Sequence, residues 1–224
     1  MKFGIIFILL VTGDFGNAFA QKNSIVVGLN GGIGWSEASG SRIHETANSI
    51  VSPNLALRIS YNLSKRVRIK LDTRWERKGS RVFIPLLDSN EIEVDQIEGV
   101  YSYNYLSFPL MITYEMGNKF RYSISAGGYV SLLMSQSYQL KPYGSHSWPE
   151  ENQIEDYSSY DFGFSFSLGC SYPLTEFLRV SFDVQKDLGL QNILANPNPL
   201  LGFEEVKLSN LAVMVGLNYR LVKK

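Results

Sequence analysis

Histidine beside hydroxyl and carboxyl side chains is the pattern that hydrolytic chemistry requires, and the chain has two histidines, His44 and His146. His146 lies between Ser145 and Ser147, and Glu150 follows. A hydrolase needs a nucleophile within hydrogen-bond reach of a base that a third group orients. Both histidines fall in segments that we predict to be loops, and loops of this composition are usually solvated. We therefore expect a protein without catalytic residues.

The sequence supports a metal or cofactor site no better than it supports a catalytic site. Two isolated histidines supply too few ligands for zinc. The acidic run Asp88, Glu91, Glu93, Asp95 and Glu98 lacks the D-x-D-x-D-G spacing of a calcium-binding loop. The single cysteine, Cys170, excludes an intramolecular disulfide and a cysteine-rich metal site. We expect no metal-binding residues and no cofactor.

Composition excludes two further classes of protein. Hydrophobic residues make up 45% of the 224 residues, which is too many for a disordered chain. Basic and acidic side chains balance at 21 each, so the basic excess of a nucleic-acid binder is missing. We expect no nucleic-acid partner.

The N-terminus predicts export from the cytoplasm. Lys2 precedes an uninterrupted apolar run at 3–11, and Ala18-Phe19-Ala20 follows a more polar stretch. A charged start, a core of about 9 apolar residues and an Ala-x-Ala end are typical of a secretory signal peptide. We predict that residues 1–20 are cleaved and that residues 21–224 form the mature domain.

Alternation of apolar and polar residues dominates the mature chain. In 67–77 the apolar face carries Val67, Ile69 and Leu71, while the opposite face carries Arg68 and Lys70. This period of two is typical of a strand with two chemically different faces. It predicts eight strands, at 25–35, 54–63, 67–77, 103–114, 120–134, 161–172, 178–184 and 211–221.

The connections between these strands alternate in length. Short links are predicted at 64–66, 117–119 and 173–176, and long links at 36–52, 78–102, 135–160 and 185–207. Short periplasmic turns and long extracellular loops are typical of outer-membrane barrels. We therefore predict an all-β fold, an eight-stranded antiparallel up-and-down transmembrane β-barrel with four long extracellular loops.

The polar faces are predicted to point inward, because lipid requires an apolar outer wall. An eight-stranded barrel encloses just enough space for side chains to fill. The predicted lumen charge network consists of Arg58, Arg68, Lys70, Asp72, Arg74, Glu76, Arg179, Asp183 and Arg220. Aromatic residues near the strand ends suit the lipid–water interface. The predicted aromatic girdle consists of Trp35, Tyr61, Trp75, Tyr114, Tyr122, Tyr172 and Tyr219.

One alternative architecture has the opposite orientation. A secreted lipocalin-like barrel keeps its apolar face inside and shows its polar face to water. The signal peptide, the unequal links and the aromatic strand ends favour the membrane barrel.

Four segments resemble the PorT-like outer-membrane β-barrel family of Bacteroidota. Residues 105–114 resemble its YLxxPLxxxY strand, and residues 125–133 resemble the GxGxYxxxLL strand that follows. Residues 161–172 and 185–193 resemble the later DFGxxxGxG and GLxNI segments. The resemblance covers most of the mature chain and implies an eight-stranded barrel. The founding member is linked to export through the type IX secretion machinery, and most members have no assigned role.

Two functional classes therefore remain open. The first is a non-enzymatic structural component of an envelope or secretion complex, with outer-membrane lipid and envelope proteins as partners. The second is a surface binding or adhesion module that uses its long loops. In both cases we expect a monomeric barrel. Pro109, which lacks a ladder donor, predicts a bulge or a local break in its strand.

Overall fold

The computed structural model describes residues 24–40, 48–87, 93–140, 157–197 and 205–221. Eight strands form a closed antiparallel barrel in which each strand pairs with its sequence neighbours and the last pairs with the first. The strands are β1 (Ile25–Ser39), β2 (Asn48–Asn62), β3 (Val67–Leu87), β4 (Glu93–Met116), β5 (Arg121–Leu140), β6 (Tyr160–Pro173), β7 (Leu178–Gly189) and β8 (Lys207–Leu221). This architecture confirms the predicted eight-stranded up-and-down barrel.

Alternating burial follows the sequence alternation along the strands. In β2, Asn54 and Arg58 are buried, whereas Leu55 and Leu57 are exposed. Leu57 is 63% exposed, and the inward-facing Asp72 of β3 is fully buried. The apolar side chains therefore cover the outer wall and the polar side chains fill the interior. Within the described residues, no helix is long and apolar enough to cross a membrane.

The long links are shorter than the sequence predicted. Most of the predicted link 78–102 is strand, because β3 continues to Leu87 and β4 starts at Glu93. Here β3 and β4 extend beyond their other neighbours: β2 pairs with β3 only as far as Arg81, and β5 pairs with β4 only as far as Gly99. Residues 78–102 do not continue the apolar–polar alternation of 67–77, and for that reason the sequence pattern did not predict strand there.

Pro109 interrupts one ladder without changing its register. Between β3 and β4, Leu71 pairs with Leu110 and the next pair is Arg74 with Ser107, so the pairing lapses at Pro109. The register shift between β4 and β5 lies where Asn104 pairs with Ser135 and Tyr105 pairs with Leu133, so the extra residue is Met134 of β5. The predicted local break is therefore present at Pro109, whereas the nearby bulge belongs to β5.

Adjacent glycines in β5 give a test of how closely the strands approach each other. A Cβ on Gly127 would clash with the backbone oxygen of Leu110, so the backbone would have to move. A Cβ on Gly128 would meet only the Gly163 oxygen, at 3.5 Å, which is an ordinary contact.

We expect Gly127→Ala to lower the free energy of unfolding by about 1–3 kcal/mol, which is typical of overpacking. The matched Gly128→Ala should change it by no more than about 0.5 kcal/mol. Urea unfolding of both variants in lipid vesicles measures the difference. Equal stabilities would show that the strands at Gly127 are not closely packed.

Candidate functional site

The middle of the lumen contains buried ion pairs that cross from one side of the barrel to the other. On β3, Arg74, Glu76 and Lys78 point inward at every second position, and each is fully buried. Arg74 pairs with Asp187 of β7, and its Nε lies 3.1 Å from Glu76 Oε2. Lys78 Nζ lies 2.8 Å from Asp161 Oδ2 of β6. Because β3 is not adjacent to β6 or β7, these five residues, the central ion-pair cluster, bridge the lumen.

Neutral side chains add hydrogen bonds to this cluster. Asn210 Nδ2 donates to Glu76 Oε2 at 2.8 Å, and the Tyr129 hydroxyl donates to Asp161 Oδ2 at 3.0 Å. The Lys78 ammonium also lies 4.4 Å from the centre of the Tyr129 ring, within cation–π distance. Further donors to the carboxylates are Ser107, Ser165 and Gln185. Buried charges are tolerated when they are paired and hydrogen-bonded in this way.

A second cluster lies nearer the end of the barrel that carries the short turns. Arg58 of β2 binds Asp72 through two hydrogen bonds, at 2.8 and 3.0 Å. Its Nη1 also donates to Asp183 Oδ2 of β7 at 2.8 Å. One guanidinium thus connects two strands that are not neighbours, and this lower ion-pair cluster spans the lumen as well.

An apolar and aromatic group fills the lumen near the long-loop end. The ring of Tyr103 contacts that of Tyr157 edge-on, with centroids 5.0 Å apart. The backbone amide of Ile193 donates to the Val206 oxygen at 2.9 Å, which holds the segment after β7 against the residues that lead into β8. The aromatic cap consists of the buried residues Ala38, Tyr103, Tyr105, Ile193, Val206 and Leu208.

Six of the nine residues of the predicted lumen charge network are buried inside the barrel. They are Arg58, Lys70, Asp72, Arg74, Glu76 and Asp183. Arg68 and Arg179 are half-buried near the short turns. Arg220 is exposed and donates to the backbone oxygen of Glu176 at 2.8 Å. Arg220 keeps the inward-facing parity of β8, but it lies at the open short-turn end, where it lines the mouth of the lumen and joins none of the buried ion pairs.

Three members of the central ion-pair cluster were missed by the sequence prediction. Lys78 was assigned to a link, and Asp187 lies beyond the predicted end of its strand at Val184. Asp161 was assigned to the polar face of its strand but not to the network. The inward-facing alternation of β3 reaches Lys78 two residues after Glu76. That of β7 reaches Asp187 four residues after Asp183, so continuing both strands would have found these residues.

All seven predicted girdle residues lie at outward-facing positions. Tyr61, Tyr114, Tyr122, Tyr172 and Tyr219 lie next to the short turns and are exposed. Trp75 is exposed and Trp35 is half-buried, and both lie further toward the long-loop end. The short-turn end therefore carries a tyrosine belt, to which Phe120 and Phe177 add rings that contact Tyr122 and Tyr219.

The described part of the chain contains few of the residues considered above for catalysis or metal binding. His44 and His146 lie outside the described residues, as do Asp88 and Glu91. Glu98 of the predicted acidic run pairs with Arg81 at 2.8 Å. Among the residues that are described, no three His, Cys, Asp or Glu side chains are grouped so that they could hold a metal ion.

Solved structures share this fold at low sequence identity. A major outer membrane protein from Thermus thermophilus is 11% identical, with a TM-score of 0.57, and the match covers 90% of this chain and all (100%) of that one. Neisserial surface protein A is 12% identical (90% and 100% covered, TM-score 0.49). E. coli outer membrane protein W is 15% identical (90% and 100% covered, TM-score 0.47). At these identities the similarity concerns the fold alone.

Sequence comparison gives the family. No curated protein sequence matches the chain significantly. The family described as "Outer membrane protein beta-barrel domain" matches residues 19–195, which is most of the chain. With eight strands, an apolar outer wall and this match, the chain belongs to the outer-membrane protein β-barrel domain family.

Proposed function

We propose that this protein is a non-enzymatic, closed outer-membrane barrel that acts as a structural component of an envelope or secretion complex. In this proposal the short turns face the periplasm, the long loops face outward, and the barrel is a monomer that binds its partners at its two ends. The resemblance to PorT-like barrels supports the connection with secretion.

The observation that carries the proposal is the filling of the lumen. Arg74, Glu76 and Lys78 are fully buried at the level of the central ion-pair cluster, and Asp187 and Asp161, the partners of Arg74 and Lys78, come from the opposite wall. Eight strands leave room for side chains but not for a water-filled channel. A barrel sealed in this way transports no solute through its lumen, so its activity must lie at its surfaces.

The sealed lumen predicts an absence of conductance. In planar lipid bilayers we expect the folded protein to give no discrete current steps, because ions cannot pass the central ion-pair cluster. The same preparation should show a faster-migrating band without boiling on SDS electrophoresis, which demonstrates that folded barrels were tested. Reproducible single-channel steps from that preparation would contradict the closed lumen.

A surface binding module is the second candidate, and one feature of β3 and β4 favours it. Residues 83–87 pair with 93–98 as a two-stranded ribbon beyond the rest of the barrel. In the described residues, the pairing of β2 with β3 and of β5 with β4 ends before this ribbon. Free strand edges can pair with an extended segment of another protein.

Co-purification distinguishes the two candidates. Crosslinking in intact cells followed by detergent extraction should recover a stable envelope protein if the structural role is right. We expect that partner to remain when residues 82–98 are replaced by a short turn. Loss of all partners on this replacement, with the barrel still folded, would favour surface binding through the ribbon.

A further inference from the structure

At the short-turn end of the lumen lies a cavity of about 80 Å³ whose lining is strongly basic. Six lining side chains are cationic: Arg58, Arg68, Lys70, Arg121, Arg179 and Arg220. Only three are carboxylates: Glu115, Glu176 and Asp183. We refer to this space as the basic cavity.

Two of the three carboxylates of the basic cavity are already bound by arginines. Glu115 accepts from Arg68 at 2.9 Å and from Arg121 at 3.1 Å. Asp183 accepts from Arg58, which also holds Asp72. The existing pairs therefore leave positive charge in the cavity that is not balanced locally.

Lys70 carries the uncompensated charge. Its side chain is 3% exposed, points into the lumen between the inward positions of Arg68 and Asp72, and lines the basic cavity. Among the described residues, its ammonium makes no hydrogen bond and no salt bridge. The carboxylates that attract it, Asp183 and Asp72, are both bound by Arg58. An ammonium group buried without an anionic partner is costly, so buried lysines are normally paired. The position of Lys70 indicates that a partner from outside the chain belongs beside it.

The size of the cavity selects the class of partner. A single water needs roughly 10–15 Å³ by the same kind of measure, so the cavity holds several waters or one tetrahedral ion. It is too small for a nucleotide or a sugar. Hydroxyl groups of Thr113, Ser123 and Ser125 also line it and can donate to oxygen atoms.

We propose that the basic cavity binds one small inorganic oxyanion the size of phosphate, with Lys70 as its central ligand. Arg68 and Arg179 supply guanidinium groups from the same lining. Charge-assisted hydrogen bonds to an oxyanion are among the strongest that proteins make. A lipid headgroup is not the source, because strands separate the lumen from the lipid. The ion enters from the aqueous side, through the mouth between the short turns.

Calorimetric titration of the full barrel in detergent with inorganic phosphate, at constant ionic strength in chloride buffer, tests the proposal. We expect one saturable site per chain, with acetate binding more weakly because it offers fewer oxygens. Lys70→Met should weaken phosphate binding about tenfold or more, the effect of losing one charge-assisted hydrogen bond. The matched control is Lys65→Met, an exposed lysine in the turn after β2, which should bind as the wild type does.

Three results would overturn the proposal. They are unsaturable phosphate binding by the wild type, equal affinity for acetate and phosphate, and unchanged binding by Lys70→Met. A second measurement covers a variant that folds poorly: phosphate should raise the urea midpoint of the wild type, since a ligand of the folded state stabilises it. If phosphate raises the urea midpoint of the wild type no more than chloride does at the same ionic strength, the site is also rejected.

Discussion

Replacing Arg74 with methionine is expected to destabilise the barrel by about 3–5 kcal/mol, the range observed when one partner of a buried ion pair is removed. Arg74 is the counter-charge of both Glu76 and Asp187, and all three side chains are buried. Without the guanidinium, both carboxylates lose a cationic partner at a depth where solvent cannot replace it. Urea unfolding in lipid vesicles, followed by the heat-dependent gel shift, measures the loss.

Two further variants separate the charge from the volume of the side chain. Arg77→Met removes an exposed arginine whose Nε donates to Asn104 at 3.0 Å, and should cost less than about 1 kcal/mol. Adding Glu76→Gln and Asp187→Asn to Arg74→Met should recover part of the lost stability, because the carboxylates that lost their partner are then neutral amides. If the triple variant is less stable than Arg74→Met, uncompensated charge is not the cause.

An arginine at Leu57 should be the most damaging substitution on the outer wall. Leu57 lies on β2, four residues before Tyr61 of the tyrosine belt, and its side chain is 63% exposed. A basic side chain at mid-height of a membrane barrel costs about 2–4 kcal/mol, falling to about 0–1 kcal/mol near the interfaces. We expect Leu57→Arg to lower the unfolding free energy in vesicles by the larger amount, and Leu63→Arg, in the short turn, by the smaller.

The same pair of variants distinguishes a membrane barrel from a water-soluble one. On a soluble barrel, replacing an exposed leucine with arginine would be harmless at both positions. If Leu57→Arg and Leu63→Arg are equally stable and the protein stays in solution without detergent, the apolar face does not contact lipid.

A sealed lumen limits where this protein can act. The central and lower ion-pair clusters and the aromatic cap occupy three levels between the short turns and the long loops. Under the proposed function, binding takes place at the ends of the barrel, the lipid-facing wall or the protruding ribbon of β3 and β4. The basic cavity below the lower ion-pair cluster is the part of the lumen that remains open to small ions.

The membrane-spanning part of the fold was predictable because lipid imposes a strict alternation. Arg58, Lys70 and Asp72 were assigned to the interior from parity alone, and all three are buried there. The prediction of strand ends failed where the alternation stops. Lys78 was assigned to a link, but β3 continues through it to Leu87. Alternation shows which face a residue lies on but not its height in the barrel, so it could not show that Arg220 lies at the open mouth.

Which charges pair was beyond sequence reasoning. Arg58 joins Asp183 across 125 positions of the chain, and Lys78 joins Asp161 across 83. Such contacts depend on the tilt and stagger of strands on opposite walls, which a single sequence does not specify. For the same reason, the lack of a partner for Lys70 became visible only in three dimensions. The leader at residues 1–20 lies outside the described residues and stays a prediction.

The orientation of the wall is tested most directly by spin labels on β2. Labels placed one at a time at Leu55, Leu57 and Ile59, with Cys170 replaced by serine, would be read in lipid vesicles by their collisions with oxygen and with a water-soluble nickel complex. We predict high oxygen and low nickel accessibility at all three positions, and the reverse at Lys65. Nickel accessibility at Leu57 equal to that at Lys65 would show that this face meets water and would contradict the membrane barrel.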